Sequence, residues 1–124
     1  MSIIVFPGQG SQYVNMAMDF NDNFSEASNI FQEAEDITKI NIRKIIKENI
    51  ENKLNQTKYT QISIFAASMA IYYTLKKKTD FSHKIALGHS LGEYAALVAS
   101  NVLSLEDATN LIKNGELLPK SLLR

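Results

Sequence analysis

The sequence contains no cysteine, and its arginines number just two, Arg43 and the terminal Arg124. The absence of cysteine excludes a disulfide framework and any thiolate chemistry, and it fits a reducing compartment. The scarcity of arginine bears on recognition, because the guanidinium fork is the usual partner for a carboxylate in a binding site. Any recognition of a carboxylate by this chain therefore rests on few candidate residues.

The sequence also lacks an excess of either charge and any long apolar run. Lys and Arg together number 13, equal to Asp and Glu together, so no net charge favours binding to nucleic acid or to an anionic membrane. No apolar stretch approaches the ~20 residues of a membrane span, and the run at residues 3–6 is too short for a signal peptide. The 124 residues, 45% of them hydrophobic, predict one globular unit with a modest core, located in the cytoplasm.

Hydrophobic patterning predicts alternating strands and helices. Short strands are expected at residues 3–6 and 84–88, a helix from Ser11 onward, and a helix capped by Ser25. Ile42, Ile45, Ile46 and Ile50 predict a short amphipathic helix, followed by a buried helix over residues 60–78 and a helix over residues 91–100. The last helix is expected from a Ser104 cap to about Asn114, before the glycine and proline at positions 115 and 119.

This pattern indicates an α/β architecture with parallel strands. Two strands are few for a parallel sheet, which needs both faces covered and several strands to be stable. The sequence therefore predicts that residues 1–124 form part of a larger domain.

A glycine-flanked serine carries the clearest chemical signal. Gly88-His89-Ser90-Leu91-Gly92 matches G-x-S-x-G between a predicted strand and a predicted helix, the context of a nucleophile elbow. A sharp, strained turn of this kind needs neighbours without a Cβ, and it directs the serine hydroxyl away from the sheet. The alternative is a glycine-flanked turn that has no catalytic role.

A second glycine-rich loop, Gly8-Gln9-Gly10-Ser11-Gln12, follows the first strand. In a parallel sheet this loop lies at the same carboxyl edge as Ser90, where ligands bind. Its glycines would let backbone N–H groups approach an oxyanion, with the second donor from Leu91. A phosphate loop is the alternative, although the stretch lacks the lysine of a Walker loop and the third glycine of a dinucleotide fingerprint.

Three segments together resemble the malonyl-CoA:acyl-carrier-protein transacylase family and the related acyltransferase domains of polyketide and fatty-acid synthases. They are FPGQGSQ at residues 6–12, GHSLGEYAAL at residues 88–97, and LNQTKYTQ at residues 54–61. The third resembles the family's L-x-x-T-x-x-x-Q-P segment, with Ile62 in place of the usual proline. The resemblance implies a partial α/β-hydrolase-like large subdomain with short parallel strands and flanking helices, without the ferredoxin-like small subdomain.

The resemblance implies a role for each matching residue. Ser90 would take the malonyl group from coenzyme A as an ester and pass it to the phosphopantetheine thiol of acyl carrier protein, in fatty acid biosynthesis. Backbone N–H groups of Gln9 and Leu91 would form the oxyanion hole, and the Gln9 and Gln61 side chains would line the acyl pocket. His89 is expected to line the pocket rather than act as base, and His83 to be exposed. Malonyl-CoA would be a substrate, with no metal, no cofactor, and no nucleic-acid or membrane partner.

The sequence departs from this family in three respects. The family's general base is a histidine well beyond the last residue here, and a later glutamine that orients the acyl group is also missing. The arginine that binds the malonyl carboxylate in the family has no counterpart at Lys113-Asn114-Gly115. The terminal residues 117–124 also depart from the family pattern, so the sequence predicts an N-terminal fragment of a longer family member.

Three hypotheses follow from the sequence. The first is the nucleophile-bearing part of an acyl-carrier-protein S-malonyltransferase. The second is a truncated, non-catalytic remnant of the same family, favoured for the isolated chain because a serine hydroxyl without its base is a weak nucleophile. The third is another serine hydrolase, such as an esterase, which the GQGSQ loop disfavours.

Overall fold

A computed structural model of the chain describes residues 2–116. The elements in chain order are two strands, six α-helices and one 3₁₀ segment: β1 (Ile3–Phe6), α1 (Met18–Asn23), α2 (Ser25–Thr38), α3 (Ile42–Glu48), the 3₁₀ segment (Ile50–Asn55), α4 (Thr57–Lys78), β2 (Ile85–Gly88), α5 (Gly92–Ala99) and α6 (Leu105–Lys113). The α/β class and the two parallel strands predicted from the sequence are confirmed. The predicted departure at residues 117–124 and the proline at position 119 lie outside the described residues.

Strands β1 and β2 pair directly in parallel, with Ile3 opposite Ile85 and Phe6 opposite Gly88. β-branched side chains favour both strands, and the long connection between them through four α-helices is the crossover that parallel pairing requires. Because the two strands end in the same register, the loops that follow them leave the sheet side by side.

Helix α4 forms the centre of the core. Its apolar residues occur on every side, and other helices pack around it, so that Ile62, Phe65 and Met69 are each at most 1% exposed. Phe31 of α2 and Ile46 of α3 are completely buried in the same core. The helix begins three residues earlier than expected and ends at Lys78 as predicted, where three lysines face the negative end of the helix dipole.

The sheet is covered on one of its two faces by the residues that the structure describes. Phe6 is buried, and its ring meets the Tyr72 ring edge-on at 5.9 Å between centroids. On the opposite face Ile3, Val5, Ile85 and Leu87 are 54%, 65%, 41% and 50% exposed, respectively. We refer to these four side chains as the open sheet face.

Helix starts differ from the sequence expectations in two places. The stretch from Ser11 does not become helical until Met18, because Asn15 and Ala17 adopt positive φ values of 70° and 61°. Ser25 was expected to cap α2, but it is the first helical residue, and the cap position is Phe24 without a side-chain hydrogen bond. The predicted Ser104 cap is confirmed, since its hydroxyl accepts a hydrogen bond from Asp107 N at 3.0 Å.

The short amphipathic helix also ends earlier than predicted. Ile42, Ile45 and Ile46 are buried on α3, but the helix stops at Glu48 and Asn49 adopts φ 46°. Ile50 therefore lies in the 3₁₀ segment and is 46% exposed. The left-handed residue at position 49 turns the chain, because asparagine tolerates this conformation better than most residues.

Candidate functional site

The two glycine-rich loops begin next to each other at the carboxyl ends of β1 and β2. Phe6 and Gly88 are the last paired residues, and His89 N extends the ladder by donating to Phe6 O at 3.4 Å. Residues 7–12 and 89–91 therefore start from the same level of the sheet. This confirms the expected placement of both loops at one sheet edge.

Ser90 occupies a strained turn between β2 and α5. It adopts φ 57°, a left-handed conformation that costs a residue with a Cβ about 1–2 kcal/mol. The flanking glycines make the turn possible. A Cβ on Gly88 would overlap the carbonyl of Gly92, and a Cβ on Gly92 would overlap the carbonyl of Phe6. The predicted elbow geometry is confirmed, and the exposed Ser90 side chain lies at the start of helix α5.

Gly8 brings the second loop into direct contact with this turn. A Cβ on Gly8 would overlap the carbonyl oxygen of His89 and would lie 3.5 Å from Ser90 Cβ. Glycine at position 8 therefore sets how closely the loop approaches the serine. Gly10, in contrast, has open space around it, and its φ of 107° accounts for the absence of a side chain there.

The loop that contains Gln9 is anchored to the start of α4. Gln9 Nε2 donates to Thr57 Oγ1 at 3.3 Å, and Gln12 Nε2 donates to Asn55 Oδ1 at 3.0 Å. Thr57 is the first residue of α4, so both bonds tie the loop to the same short stretch. The family resemblance implies that these two segments lie near one pocket, but it does not indicate the individual hydrogen bonds, whose partners are more than forty residues apart.

Hydrogen bonds within the loop hold its backbone. Gln12 Oε1 accepts from Gly10 N at 2.8 Å, and Ser11 Oγ donates to Gly8 O at 2.8 Å. The two polar side chains satisfy backbone groups that a glycine-rich segment leaves open. The loop is thus ordered by its own serine and glutamine side chains.

The amides of Gln9 and Leu91 are the two predicted oxyanion donors. Within residues 2–116, neither N–H is hydrogen-bonded to a protein acceptor. Leu91 has helical backbone angles (φ −54°, ψ −33°) and immediately precedes α5, so its amide belongs to the group at a helix start that has no intrahelical partner. The Leu91 side chain is buried, while Gln9 is exposed.

Gln61 lies one turn after Thr57 on α4 and is half-buried. Residues four apart on a helix share a face, and helical side chains lean towards the N-terminus. Gln61 is therefore on the α4 face whose first turn contacts Gln9 through Thr57. The Gln9 side chain therefore contacts the α4 face that also carries Gln61. No hydrogen bond joins Gln9 to Gln61 within the described part of the chain.

A cavity of about 270 Å³ continues along this face of α4. Ile64, Ser68 and Ile71 line one wall, at the helical spacing that follows Thr57 and Gln61. Pro7, Ser11 and Tyr13 contribute from the loop side. The sequence analysis did not predict this cavity. The helical spacing of its α4 residues is visible in the sequence, but it indicates a cavity wall only once Thr57 is known to face the loop.

The two histidines occupy different places. His89 is exposed beside Ser90. His83 was expected to be exposed, but this is wrong: it is half-buried, with Nε2 3.0 Å from Tyr72 Oη and Nδ1 buried without a partner in residues 2–116. Its ring packs against Tyr72 before β2 begins, so it lies at the strand end opposite to Ser90. No hydrogen bond joins either histidine to the Ser90 hydroxyl among the described residues.

Arg43 and Lys113, the two cations that the sequence comparison singles out, each have a partner within residues 2–116. Arg43 forms a two-point ion pair with Glu35, through Nη2–Oε1 at 2.7 Å and Nε–Oε2 at 3.0 Å, and this hydrogen bonding raises the Arg43 pKa. Lys113 Nζ donates to Ile37 O at 3.3 Å, near the end of α2. Asn114 Nδ2 donates to Glu116 Oε1 at 3.2 Å. Lys113 thus contacts the end of α2, and Asn114 contacts a residue of its own segment.

Two kinds of structural feature are absent from residues 2–116. No helix in this part of the chain combines the length and the apolar character that crossing a membrane requires. No group of three or more His, Asp or Glu side chains is arranged to hold a metal ion in the same residues.

Comparison with known families places these features in context. Residues 3–114 match the family described as acyl transferase domain. Malonyl CoA-acyl carrier protein transacylase from Buchnera aphidicola is 40% identical over 114 residues, which is 89% of this chain and 36% of the relative. The protein of the same name from Staphylococcus aureus is 39% identical over 120 residues, covering 95% of this chain and 38% of its own length.

Solved structures agree with these matches. MCAT from Streptococcus pneumoniae superimposes with a TM-score of 0.87 at 41% identity, over 91% of this chain and 36% of that one. Malonyl CoA-acyl carrier protein transacylase from Clostridium perfringens gives a TM-score of 0.85 at 37% identity, over 90% and 35%. A malonyl-transacylase in complex with a type II polyketide acyl-carrier protein gives 0.84 at 36% identity, over 90% of this chain and 36% of that one. The chain thus spans little more than a third of the relatives that it matches.

Proposed function

Because the chain belongs to the acyl transferase domain family, we propose that it is the nucleophile-bearing part of a malonyl-CoA:acyl-carrier-protein transacylase. The observation that carries the proposal is the contact between the two loops. Gly8 packs on the carbonyl of His89, which brings the amide of Gln9 and the strained Ser90 turn to one sheet edge. The proposed malonyl group, its donor coenzyme A and its acceptor acyl carrier protein are taken from the names of the relatives.

The proposed reaction has two half-reactions at Ser90. A general base removes the hydroxyl proton while Oγ attacks the thioester carbonyl of malonyl-CoA, and the thiol of coenzyme A leaves with a proton. The phosphopantetheine thiol of acyl carrier protein then attacks the seryl ester, which restores the hydroxyl. We assign the N–H groups of Gln9 and Leu91 to the oxyanion of both tetrahedral intermediates, where one donor is typically worth about 3 kcal/mol.

The side chains of Gln9, Gln61 and His89 are proposed to line the acyl pocket. Their support is the shared α4 face of Thr57 and Gln61, with Gln9 bonded to Thr57, and the exposure of His89 beside Ser90. We propose no metal or cofactor for this reaction.

We propose that residues outside 2–116 supply the general base and the group that binds the malonyl carboxylate. His83 lies at the far end of β2, while Arg43 and Lys113 are bonded to Glu35 and to Ile37 O. A serine without its base is a weak nucleophile, so the 124-residue chain alone is expected to transfer no malonyl group at a measurable rate.

The test uses a chimera, in which residues 1–116 of this chain precede the remaining segment of the Streptococcus pneumoniae relative. Incubation with malonyl-CoA should add one malonyl group to the intact protein by mass spectrometry, and acyl carrier protein should remove it. The Ser90→Ala variant should acquire no label, while Ser82→Ala, at an exposed serine before β2, should label normally. A label that persists in Ser90→Ala would sink the assignment of the nucleophile.

The same experiment addresses the alternatives. Carrier-protein malonylation by the 124-residue chain alone would reject the non-catalytic interpretation of this chain. A chimera that hydrolyses p-nitrophenyl esters faster than it accepts malonyl-CoA would instead identify a serine hydrolase.

A further inference from the structure

The peptide unit that carries the Gln9 N–H is held from its other side. Its carbonyl belongs to Gly8, and that oxygen accepts two hydrogen bonds from Ser11, from Oγ at 2.8 Å and from the backbone N at 3.3 Å. In a planar trans peptide the C=O and the N–H point in opposite directions. The two bonds from Ser11 therefore direct the Gln9 N–H away from the turn that Ser11 closes, and this N–H has no protein acceptor within residues 2–116.

The next peptide unit is held by Gln12. Gly10 N, on the far side of the Gln9 Cα, donates to Gln12 Oε1 at 2.8 Å. The Gln9 side chain is fixed as well, because its Nε2 donates to Thr57 Oγ1 at 3.3 Å. Both peptide units that flank the Gln9 Cα thus have a side-chain partner, and a rotation that redirects the Gln9 N–H would have to break one of these bonds.

Three asparagines of the neighbouring 3₁₀ segment and its start hold Gln12 in turn; we call Asn49, Asn52 and Asn55 the asparagine cluster. Gln12 Nε2 donates to Asn55 Oδ1 at 3.0 Å, and Asn55 Nδ2 donates to Asn52 Oδ1 at 2.7 Å. Asn49 Nδ2 donates to the same Asn52 oxygen at 3.4 Å, while Asn49 Oδ1 accepts from Leu54 N at 2.9 Å. Leu54 is 1% exposed, so a continuous series of amide hydrogen bonds connects the loop to the core.

These bonds lie where they can orient a group without contributing much to stability. Ser11 and Asn55 are exposed, and Gln12 is half-buried. A hydrogen bond at such a position contributes little to the free energy of unfolding, because water replaces it in the unfolded state. An oxyanion donor, in contrast, must already be aligned when charge develops, and small misplacements reduce rates strongly. The network therefore matters more to a reaction at this sheet edge than to the stability of the fold.

From this geometry we propose that Ser11 and Gln12 are positioning residues that set the direction of the Gln9 N–H, with the asparagine cluster as their support. The inference rests on the proposed function, since it takes the Gln9 N–H as a donor to the oxyanion. Each side chain acts through the backbone of residues 8–10 rather than on the acyl group.

The first test follows ester formation at Ser90 of the chimera in single turnovers at varied malonyl-CoA concentration. Ser11→Ala and Gln12→Leu should each lower the limiting rate constant about tenfold, a part of the loss that deletion of an oxyanion donor causes. The half-saturating concentration should stay within about twofold of the parent's, because the donor acts mainly on the transition state. Ser11→Thr retains the hydroxyl and should restore the parent rate. All these variants should unfold within about 5 °C of the parent.

Thr79→Val is the matched control. Thr79 lies at the opposite end of α4 from Thr57, and its Oγ1 donates to Leu75 O at 2.6 Å. Like Ser11→Ala, the substitution removes an exposed hydroxyl that donates to a backbone carbonyl. It should leave the limiting rate constant unchanged.

The second test needs no reaction and uses the 124-residue chain in NMR measurements. Hydrogen exchange of the Gly10 amide should accelerate severalfold in Gln12→Leu, because the variant removes its acceptor. The heteronuclear NOE of the Gln9 amide, which reports its order, should decrease in Ser11→Ala. It should not decrease in Ser11→Thr or Thr79→Val.

Specific results would overturn the proposal. Unchanged exchange at Gly10 and unchanged order at Gln9 would show that the two side chains do not hold the loop. Equal rate losses in Ser11→Ala and Thr79→Val, or a Ser11→Thr variant as slow as Ser11→Ala, would show a general effect on the fold. A change confined to the half-saturating concentration would assign both residues to substrate binding.

Failure of the proposed function gives a different result. A parent chimera that forms no ester would refute that function and, with it, the catalytic consequence of the positioning. The NMR measurements on the 124-residue chain would then still decide whether Ser11 and Gln12 hold the Gln9 amide.

Discussion

Gly8 and His89 approach so closely that no side chain fits between them: a Cβ at position 8 would overlap the His89 carbonyl oxygen. The two residues are 81 positions apart in the sequence, and their contact joins the Gln9 loop to the Ser90 turn. Single substitutions can test how this contact affects the stability of the chain and the reactivity of Ser90.

Gly8→Ala should separate the two loops. The new methyl group must displace the backbone of residue 89, and overpacking of this kind costs about 1–3 kcal/mol of unfolding free energy. In the chimera, Ser90 malonylation should fall at least tenfold, because the N–H of Gln9, the proposed oxyanion donor, is displaced. Chemical denaturation and intact mass spectrometry measure the two effects.

The control for this variant is Gly115→Ala, at a glycine with φ 67° and open space around it. Backbone strain alone should cost it about 1 kcal/mol without affecting malonylation. Equal loss of malonylation in the two variants would contradict a specific role for the contact between the loops.

Ser90→Gly should stabilise the chain while removing its proposed nucleophile. Ser90 adopts φ 57°, which glycine tolerates without strain, so the free energy of unfolding should rise by about 0.5–1 kcal/mol. Lys39→Gly, at φ 61° after the last turn of α2, should give a similar gain and leave malonylation of the chimera unchanged. Urea denaturation of both variants provides the comparison, and a loss of stability in Ser90→Gly would refute the strain argument.

Ser104→Ala and Ser25→Ala form a matched pair of capping variants. Ser104 Oγ accepts from Asp107 N at 3.0 Å, so its removal should cost about 1 kcal/mol. Ser25 has no capping hydrogen bond and occupies the first helical position of α2, so Ser25→Ala should be close to neutral. The denaturation midpoints of the two variants measure their loss of stability. A larger loss of stability for Ser25→Ala than for Ser104→Ala would contradict the observed cap assignments.

Alkaline pH should destabilise the chain partly through Tyr72. Burial raises the pKa of its hydroxyl above the ordinary value of about 10, so the unfolded state loses its proton first as pH rises. The stabilisation is complete below about pH 10 and decreases above it. Tyr72→Phe should flatten this alkaline decline.

At neutral pH the same variant should be less stable, since it loses the hydrogen bond from Oη to Ala99 O at 3.3 Å and the contact with His83 Nε2 at 3.0 Å. Tyr13→Phe is the control, because Tyr13 is 66% exposed and its substitution should leave the alkaline transition in place. Thermal unfolding at several pH values measures the effect, and an unchanged alkaline slope in Tyr72→Phe would contradict it.

Sequence patterns predicted those parts of the structure that depend on local chemistry. The apolar run at residues 3–6 became β1, the all-round apolar stretch became the central helix α4, and the glycines at 88 and 92 lie where a Cβ would overlap backbone. Each of these follows from the residues within one segment. The Ser104 cap belongs to the same class, since donor and acceptor are three residues apart.

Features that depend on distant partners could not be predicted in this way. The bonds of Gln9 to Thr57 and of Gln12 to Asn55 join segments that the family resemblance brings to one pocket, but no local pattern in either segment identifies the bonding partners. His83 was expected to be exposed because it precedes a strand, yet Tyr72 of α4 packs against it. The prediction that Ser25 caps α2 was wrong by one position. Ser25 is the first residue of the helix, and Phe24 occupies the cap position.

The pairing of Phe6 with Gly88 has a consequence for protein engineering. The register of the two strands fixes the position of one loop relative to the other. Each residue of slip along a strand would shift one loop by about 3.3 Å relative to the other. Loop grafts from other acyl transferases should therefore be joined at Phe6 and Gly88, where both loops share one origin. An insertion before either residue would change the spacing between Gln9 and Ser90 without altering a single residue of either loop.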